Sequence, residues 1–161
     1  MGGSDGSVVI VAPHEGQVAR ANAFRSRLAR VTGGEIGLAF ISKSSKLKTE
    51  VESQPVLVGD VAGKKVIIVD DIVSSGETME RAASLVRGGG AEKVYGFATH
   101  AIFSTPDARQ RCREGLEYLL VTNTIYQKTM PDGVKRLSVA PLVAEAIARV
   151  VGKGSVSDIT K

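Results

Sequence analysis

The sequence predicts an α/β fold, in which a mainly parallel sheet forms the middle of three layers and helices cover both of its faces. Short apolar runs alternate along the chain with stretches whose apolar residues recur at helical spacing, which is typical of βαβ units. Only 4% of the residues are aromatic and Trp is absent, so Val, Ile, Leu and Ala must build the core, as in buried parallel strands. The length of 161 residues suits one domain.

Glycine and proline divide the first half of the chain into predicted elements. The apolar run at residues 8–12 predicts a strand, which Pro13 and Gly16 end. Apolar residues then recur at helical spacing over residues 17–31, and the glycine pair at 33–34 ends this helix. Apolar runs at 36–41 and 56–58 predict two further strands. The polar and basic residues 42–49 between them predict a mobile loop.

The second half continues the alternation. Residues 66–69 are four β-branched side chains in a row, the strongest indication of a buried strand in the chain. A helix is predicted over 78–86, ended by the glycines at 88–90, and strands at 94–98 and 118–121. Thr105 is predicted to cap a short helix with Pro106 at its first position. A closing helix is predicted over 138–151.

Composition limits the classes of function. The net charge of +4 suits anionic ligands such as phosphates, and the basic residues are too dispersed for us to expect a nucleic-acid partner. No apolar stretch approaches the length of a membrane span, so no membrane partner is expected. The single cysteine, Cys112, favours a reducing compartment, and we predict a cytoplasmic location. Residues 1–7, rich in Gly and Ser, are predicted to be a leader or linker before a domain at 8–161.

The candidate site lies between Val66 and Thr78. A buried strand is predicted to end in Asp70 and Asp71, and a loop of small polar residues then leads into a helix. Ligands of parallel sheets lie beyond the carboxyl ends of the strands, and a helix N-terminus attracts phosphate. Carboxylates accept hydrogen bonds from sugar hydroxyls or hold Mg²⁺ through water. The segment therefore predicts a ribose phosphate site, against the alternative of a simple helix cap beside solvated acids.

This order of strand, Asp-Asp and Ser/Thr/Gly loop resembles the PRPP-binding motif of type I phosphoribosyltransferases and of ribose-phosphate pyrophosphokinases (PRPP synthetases). Further stretches resemble the synthetases: Gly-Asp-Val at 59–61, Gly-Ala-Glu-Lys-Val-Tyr at 90–95, Ala-Thr-His at 98–100, Val-Thr-Asn-Thr at 121–124 and Leu-Ser-Val-Ala-Pro-Leu at 137–142. The resemblance runs from about Val8 to Ser157 and corresponds to the second of the family's two similar domains. It implies a type I phosphoribosyltransferase-like fold.

The resemblance also implies an activity, which is the transfer of pyrophosphate from MgATP to ribose 5-phosphate to make PRPP for nucleotide biosynthesis. The implied partners are ribose 5-phosphate, ATP and PRPP, the implied cofactor is Mg²⁺, and a homo-oligomer is expected. The implied catalytic residues are Lys43, Asp70 and Asp71; the ribose-5-phosphate-binding residues are Asp70, Asp71, Ser74, Ser75, Gly76, Glu77 and Thr78; and the metal-binding residues are Asp70, Asp71 and His14.

The chain departs from the family pattern at three places. Ser44 and Ser45 follow Lys43 where the family has arginines, and Glu77 stands in the phosphate loop where the family usually has glycine. Residues 13–17 read Pro-His-Glu-Gly-Gln where the family has Pro-Asp-x-Gly-Gly. The family's first domain is also absent, so we expect the chain alone to be folded but weakly active or inactive.

Two alternatives stay open on the sequence alone. The departures in the basic loop, the phosphate loop and the first loop favour a non-catalytic, synthetase-like regulatory subunit. The length would suit a free-standing type I phosphoribosyltransferase, although the synthetase-like residues 137–147 argue against it.

Overall fold

The computed structural model describes residues 7–43, 54–152 and 154–160. Its strands are β1 (Val8–Ala12), β2 (Ile36–Lys43), β3 (Pro55–Val58), β4 (Lys65–Val73), β5 (Lys93–Ala101), β6 (Leu119–Thr122) and β7 (Val134–Leu137). Its helices are α1 (Val18–Thr32), α2 (Glu77–Gly88), α3 (Ala108–Arg111) and α4 (Ala140–Val151), with 3-10 turns at Glu15–Gln17 and Val156–Thr160.

The seven strands form one sheet in the order β3-β2-β1-β4-β5-β6-β7. Every neighbouring pair is parallel except β2 with β3, which is antiparallel. The carboxyl ends of β1, β4 and β5 therefore meet at one edge of the sheet, where the connections to α1 and α2 begin. The predicted mainly parallel sheet is confirmed.

Helices cover both faces of this sheet, as predicted. Alternate residues of β1 point to opposite faces, as the two-residue period of a strand requires. Val9 and Val11 join the core beneath α2, whereas Ile10 and Ala12 join the core beneath α1. In the part of the chain that the structure describes, no helix is long and apolar enough to cross a membrane.

The starts of two helices were predicted wrongly, and one strand was not predicted. The short helix begins at Ala108 with Asp107 at its N-cap position, so Thr105 is not the cap and Pro106 is not the first helical residue. The closing helix begins at Ala140 and not at residue 138. Strand β7 was not predicted, because only Val134 of its four residues is buried and the run shows no alternation of apolar and polar residues.

Candidate active site

The two acidic residues lie inside strand β4 and not at its end. The strand continues to Val73 because its pairing with β5 persists, with Asp70 opposite Ala98 and Ile72 opposite His100. The prediction that the strand ends in the acids is thus wrong by two residues. Alternation along the strand buries Asp70, which is 5% exposed, and leaves Asp71 partly accessible.

The start of α1 and the turn before it contact both acids. The Gln17 amide Nε2 donates to Asp70 Oδ1 at 3.2 Å and to Asp71 Oδ1 at 3.1 Å. Arg20 Nη1 lies 2.5 Å from Asp71 Oδ2, and the backbone N–H of Asp71 donates to Asp70 Oδ1 at 2.9 Å. Neither Gln17 nor Arg20 was predicted as a contact of the acids, although their position after the first strand places them at the same sheet edge as the site residues of β4.

The surroundings of the two acids separate their ionisation. Burial raises the pKa of Asp70 to about 6, and the neighbouring Asp71 carboxylate adds to this rise. The hydrogen bond from Arg20 lowers the pKa of Asp71 to about 2. Both acids are therefore ionised above neutral pH, and Asp70 takes up a proton first as the pH falls.

The loop from Ser74 to Thr78 joins the acids to α2 and is open to solvent. Ser74, Glu77 and Thr78 are exposed and Ser75 is half-buried. The first N–H groups of α2 have no acceptor within the helix and lie at its positive end, where an anion is favoured. The loop has the accessibility that the predicted phosphate site requires.

Gly76 fixes the shape of this loop. Its φ of 85° is left-handed, and a Cβ at this position would lie 2.9 Å from both Ala108 O and Cys112 Sγ. The residues of α3 and Cys112 thus pack directly against the loop. Burial raises the pKa of the Cys112 thiol to about 12, which keeps it protonated, as in a cysteine that packs in the core and does not react.

Glu77, the departure from glycine in the phosphate loop, is paired with an arginine. Arg111 Nη1 lies 3.0 Å from Glu77 Oε1, and Arg111 Nε lies 2.8 Å from Asp107 Oδ2. On the other side of the loop, the Ser74 and Ser104 hydroxyls are 2.9 Å apart. The repulsion that Glu77 would exert on a bound phosphate is thereby partly offset by a residue of α3.

A cavity of about 420 Å³ adjoins this loop. Its lining comes from two parts of the chain, the loop after β1 and the start of α2: Pro13, His14, Glu15, Gly16, Thr78 and Arg81. His14 also interacts electrostatically with Asp70, so the structure brings His14, the acids and the phosphate loop together. Arg81 was missed from the sequence, although its position three residues after Thr78 places both on one helix face.

Some predicted residues lie outside this cluster or outside the described residues. Lys43 ends β2, but its side chain is outside the described part, as are Ser44 and Ser45. His100, one strand away from the acids, has its Nδ1 2.8 Å from Thr124 Oγ1. The catalytic role of Lys43 stays a prediction.

The two aspartates are the candidate metal ligands. Among the described residues, no three His, Cys, Asp or Glu side chains come together as a metal site. Mg²⁺ is commonly held by one or two carboxylates together with water and substrate phosphates, so Asp70 and Asp71 fit such an ion chemically. Gln17 and Arg20 donate to Asp70 Oδ1 and to both oxygens of Asp71, so an ion that bridges Asp70 Oδ1 and Asp71 would have to displace these donors.

Residues 39–161 match the family model of the phosphoribosyl synthetase-associated domain. The chain belongs to this family. The chain is 40% identical over 156 residues to ribose-phosphate pyrophosphokinase of Prochlorococcus marinus (strain MIT 9313), an alignment that covers 94% of this chain and 45% of that relative. It is also 40% identical over 159 residues to the enzyme of the same name from Gloeobacter violaceus (strain ATCC 29082 / PCC 7421), covering 96% and 45%.

The crystal structure of phosphoribosylpyrophosphate synthetase from Mycobacterium smegmatis superposes on this domain with a TM-score of 0.74 and 35% sequence identity. The superposition covers 94% of this chain and 47% of that one. The fold is the type I phosphoribosyltransferase-like α/β fold, as the resemblance implied. The domain spans about half the length of the curated relatives it matches.

Proposed function

We propose that this domain is the ribose-5-phosphate-binding, second half of a ribose-phosphate pyrophosphokinase, which transfers pyrophosphate from MgATP to the sugar phosphate and makes PRPP. The observation that carries the proposal is the pair Asp70 and Asp71 beside an open loop at the N-terminus of α2. One end of this site suits an anion and the other accepts hydroxyl donors, as ribose 5-phosphate requires.

Each part of the site has a task in this proposal. The N–H groups and hydroxyls of residues 74–78 bind the 5-phosphate, and Gly76 keeps the backbone close to it. Asp70 and Asp71 accept hydrogen bonds from the sugar hydroxyls and orient the anomeric hydroxyl for attack. Arg81 and Lys43 supply positive charge beside the transferred group. Mg²⁺, held with the substrates by one or both aspartates, with His14 nearby, would offset the charge that develops on the phosphates.

The names of the relatives favour this hypothesis over a free-standing phosphoribosyltransferase or a non-catalytic subunit. Because the domain spans about half of those relatives, we propose that it binds ribose 5-phosphate alone but turns over ATP only together with a domain that corresponds to their other half. We also propose that it works in the cytoplasm, as a homo-oligomer and without nucleic acid or membrane partners.

Calorimetric titration with ribose 5-phosphate and Mg²⁺ tests the site. We expect the domain to bind the sugar phosphate and Asp71→Ala to lose at least tenfold in affinity, because a charge-assisted contact to a hydroxyl is removed. Asp60→Ala is the matched control, since Asp60 is an exposed acid that pairs with Lys64 away from the site. A folded domain that does not bind ribose 5-phosphate contradicts the proposed site. Normal AMP release from ATP by this domain alone contradicts its predicted inactivity.

A further inference from the structure

Gln17 inserts an amide between the two acidic side chains. Its side chain is buried, with 8% of the residue exposed, and its Nε2 lies 3.2 Å from Asp70 Oδ1 and 3.1 Å from Asp71 Oδ1. An atom that contacts one oxygen of each carboxylate occupies the bridging position between them. A cation shared by the two aspartates would take the same position.

Arg20 extends this arrangement. Its guanidinium pairs with Asp71 Oδ2, the oxygen that Gln17 does not contact. Asp70 Oδ1 and both oxygens of Asp71 thus receive N–H donors from the chain itself. The two ionised carboxylates carry a charge of −2, and Arg20 brings the sum to −1. The affinity of an oxygen site for a divalent cation falls as its negative charge decreases.

We propose that Gln17 and Arg20 form a donor clamp that occupies the bridging position between Asp70 and Asp71, so that a divalent cation binds there only after displacing the amide. The clamp lowers the affinity of the acids for the free cation. A cation then arrives together with the phosphates of the substrates, which supply the missing ligands. The inference rests on the proposed function in that ribose 5-phosphate and its divalent cation are taken as the ligands of this site.

The burial of Gln17 strengthens the inference. A buried amide that loses its acceptors is costly, so displacement by a cation must also provide the amide with new partners. Glycine, which the family resemblance expects at this position, has no side chain that could cover the carboxylates. The clamp is therefore a property of this chain's own residues and not of the acid pair alone.

The test measures the affinity of the full 161-residue chain for Mn²⁺ alone, with the electron paramagnetic resonance signal reporting the concentration of free Mn²⁺. Gln17→Met keeps the length and apolar packing of the side chain and removes the donor. We expect it to bind Mn²⁺ about tenfold more tightly than the unmodified chain, the ratio that corresponds to a hydrogen bond to a charged group. Gln110→Met is the matched control, because Gln110 Nε2 donates to Glu114 on the exposed surface of the chain, 3.2 Å away.

A second variant keeps the test decisive if Gln17→Met does not fold. Arg20→Gln removes the charge at the partly exposed end of the clamp and should also tighten Mn²⁺ binding, whereas Arg27→Gln on the exposed side of α1 should leave it unchanged. Folded clamp variants with unaltered Mn²⁺ affinity overturn the proposal. An increase in Arg20→Gln but not in a folded Gln17→Met overturns the role of the amide.

Ribose 5-phosphate titrations separate this inference from the proposed function. If the variants bind Mn²⁺ more tightly but no form of the chain binds the sugar phosphate, the clamp stands and the proposed function fails. If the unmodified chain binds the sugar phosphate and the Mn²⁺ affinities do not differ among the variants, the proposed function stands and the clamp fails.

Discussion

At the level of single residues, Asp70 is the group whose ionisation the fold opposes. Burial raises its pKa to about 6, above the value near 3.8 of an unburied aspartate. The folded state therefore holds the proton more tightly than the unfolded state, and Asp70 favours folding most below about pH 4. This contribution is lost as the pH rises through about 6. The buried charge thus lowers the free energy of unfolding at neutral and alkaline pH.

The variant Asp70→Asn mimics the protonated acid. We expect it to raise the free energy of unfolding at pH 8 by about 1–3 kcal/mol, from roughly two pKa units at 1.36 kcal/mol each, and to differ little from the unmodified chain at pH 4. Denaturant unfolding at the two pH values measures this. Asp71→Asn should lower stability at pH 8, because its pKa is depressed by Arg20. If the difference in free energy of unfolding between Asp70→Asn and the unmodified chain is the same at both pH values, ionisation of Asp70 does not oppose folding.

Glu77 is the residue that most directly opposes an anion in the loop. Its pairing with Arg111 is largely solvent-exposed, so Glu77→Gln should change the free energy of unfolding by less than about 1 kcal/mol. Removing the negative charge should strengthen ribose 5-phosphate binding about two- to tenfold, since the repulsion between the carboxylate and the phosphate disappears. Calorimetry compares this variant with Glu92→Gln, an exposed acid before β5. Equal affinities for the two variants would show that Glu77 does not face the phosphate.

At the level of elements, the contact between the phosphate loop and α3 determines which residue position 76 accepts. Gly76→Ala forces a left-handed alanine and places a methyl group 2.9 Å from Ala108 O and Cys112 Sγ. We expect a loss of about 2–4 kcal/mol in the free energy of unfolding, from strain plus overpacking. Gly63→Ala is the matched control, because Gly63 has a φ of 68° with nothing within 4 Å of the added Cβ. It should cost only the strain, about 1–2 kcal/mol. Equal losses would rule out the close packing against α3.

The elements also show what the sequence could and could not predict. Buried strands such as β1 were predictable because a short continuous run of apolar residues supplies apolar side chains to both faces of the sheet. The full length of β4 was not, since Asp70 and Asp71 look like the end of a strand until the pairing with β5 is known. Strand β7 has one buried residue, and a single residue carries no period.

The same distinction holds for the site. The acids and the small residues of the loop are contiguous in the sequence, so their chemistry could be inferred together. Arg111 contacts Glu77 from 34 residues away, and Gln17 contacts Asp70 from 53 residues away. These contacts depend on how α1 and α3 pack on the sheet, which local sequence does not specify.

At the level of the whole molecule, α4 is the element whose apolar residues have no place in the core. No side chain of this helix is buried, and five large apolar side chains on it are about half exposed or more: Leu142, Val143, Ile147, Val150 and Val151. Exposed apolar residues gathered on one helix are typical of an interface, and burying them would be favourable by roughly 25 cal/mol per Å². We expect α4 to take part in the proposed self-association by contacting a second copy of this chain.

Sedimentation velocity at increasing concentration tests this expectation. The unmodified chain should associate at micromolar concentrations, and Ile147→Asp should remain monomeric, because a buried unpaired carboxylate at the centre of the contact costs several kcal/mol. Val31→Asp is the control, since Val31 is an apolar residue, 84% exposed, at the end of α1. It should associate as the unmodified chain does. If the unmodified chain stays monomeric, α4 is not a contact between copies. If both variants weaken association equally, the loss follows from the added charge and not from the position of Ile147, and α4 is again not the contact.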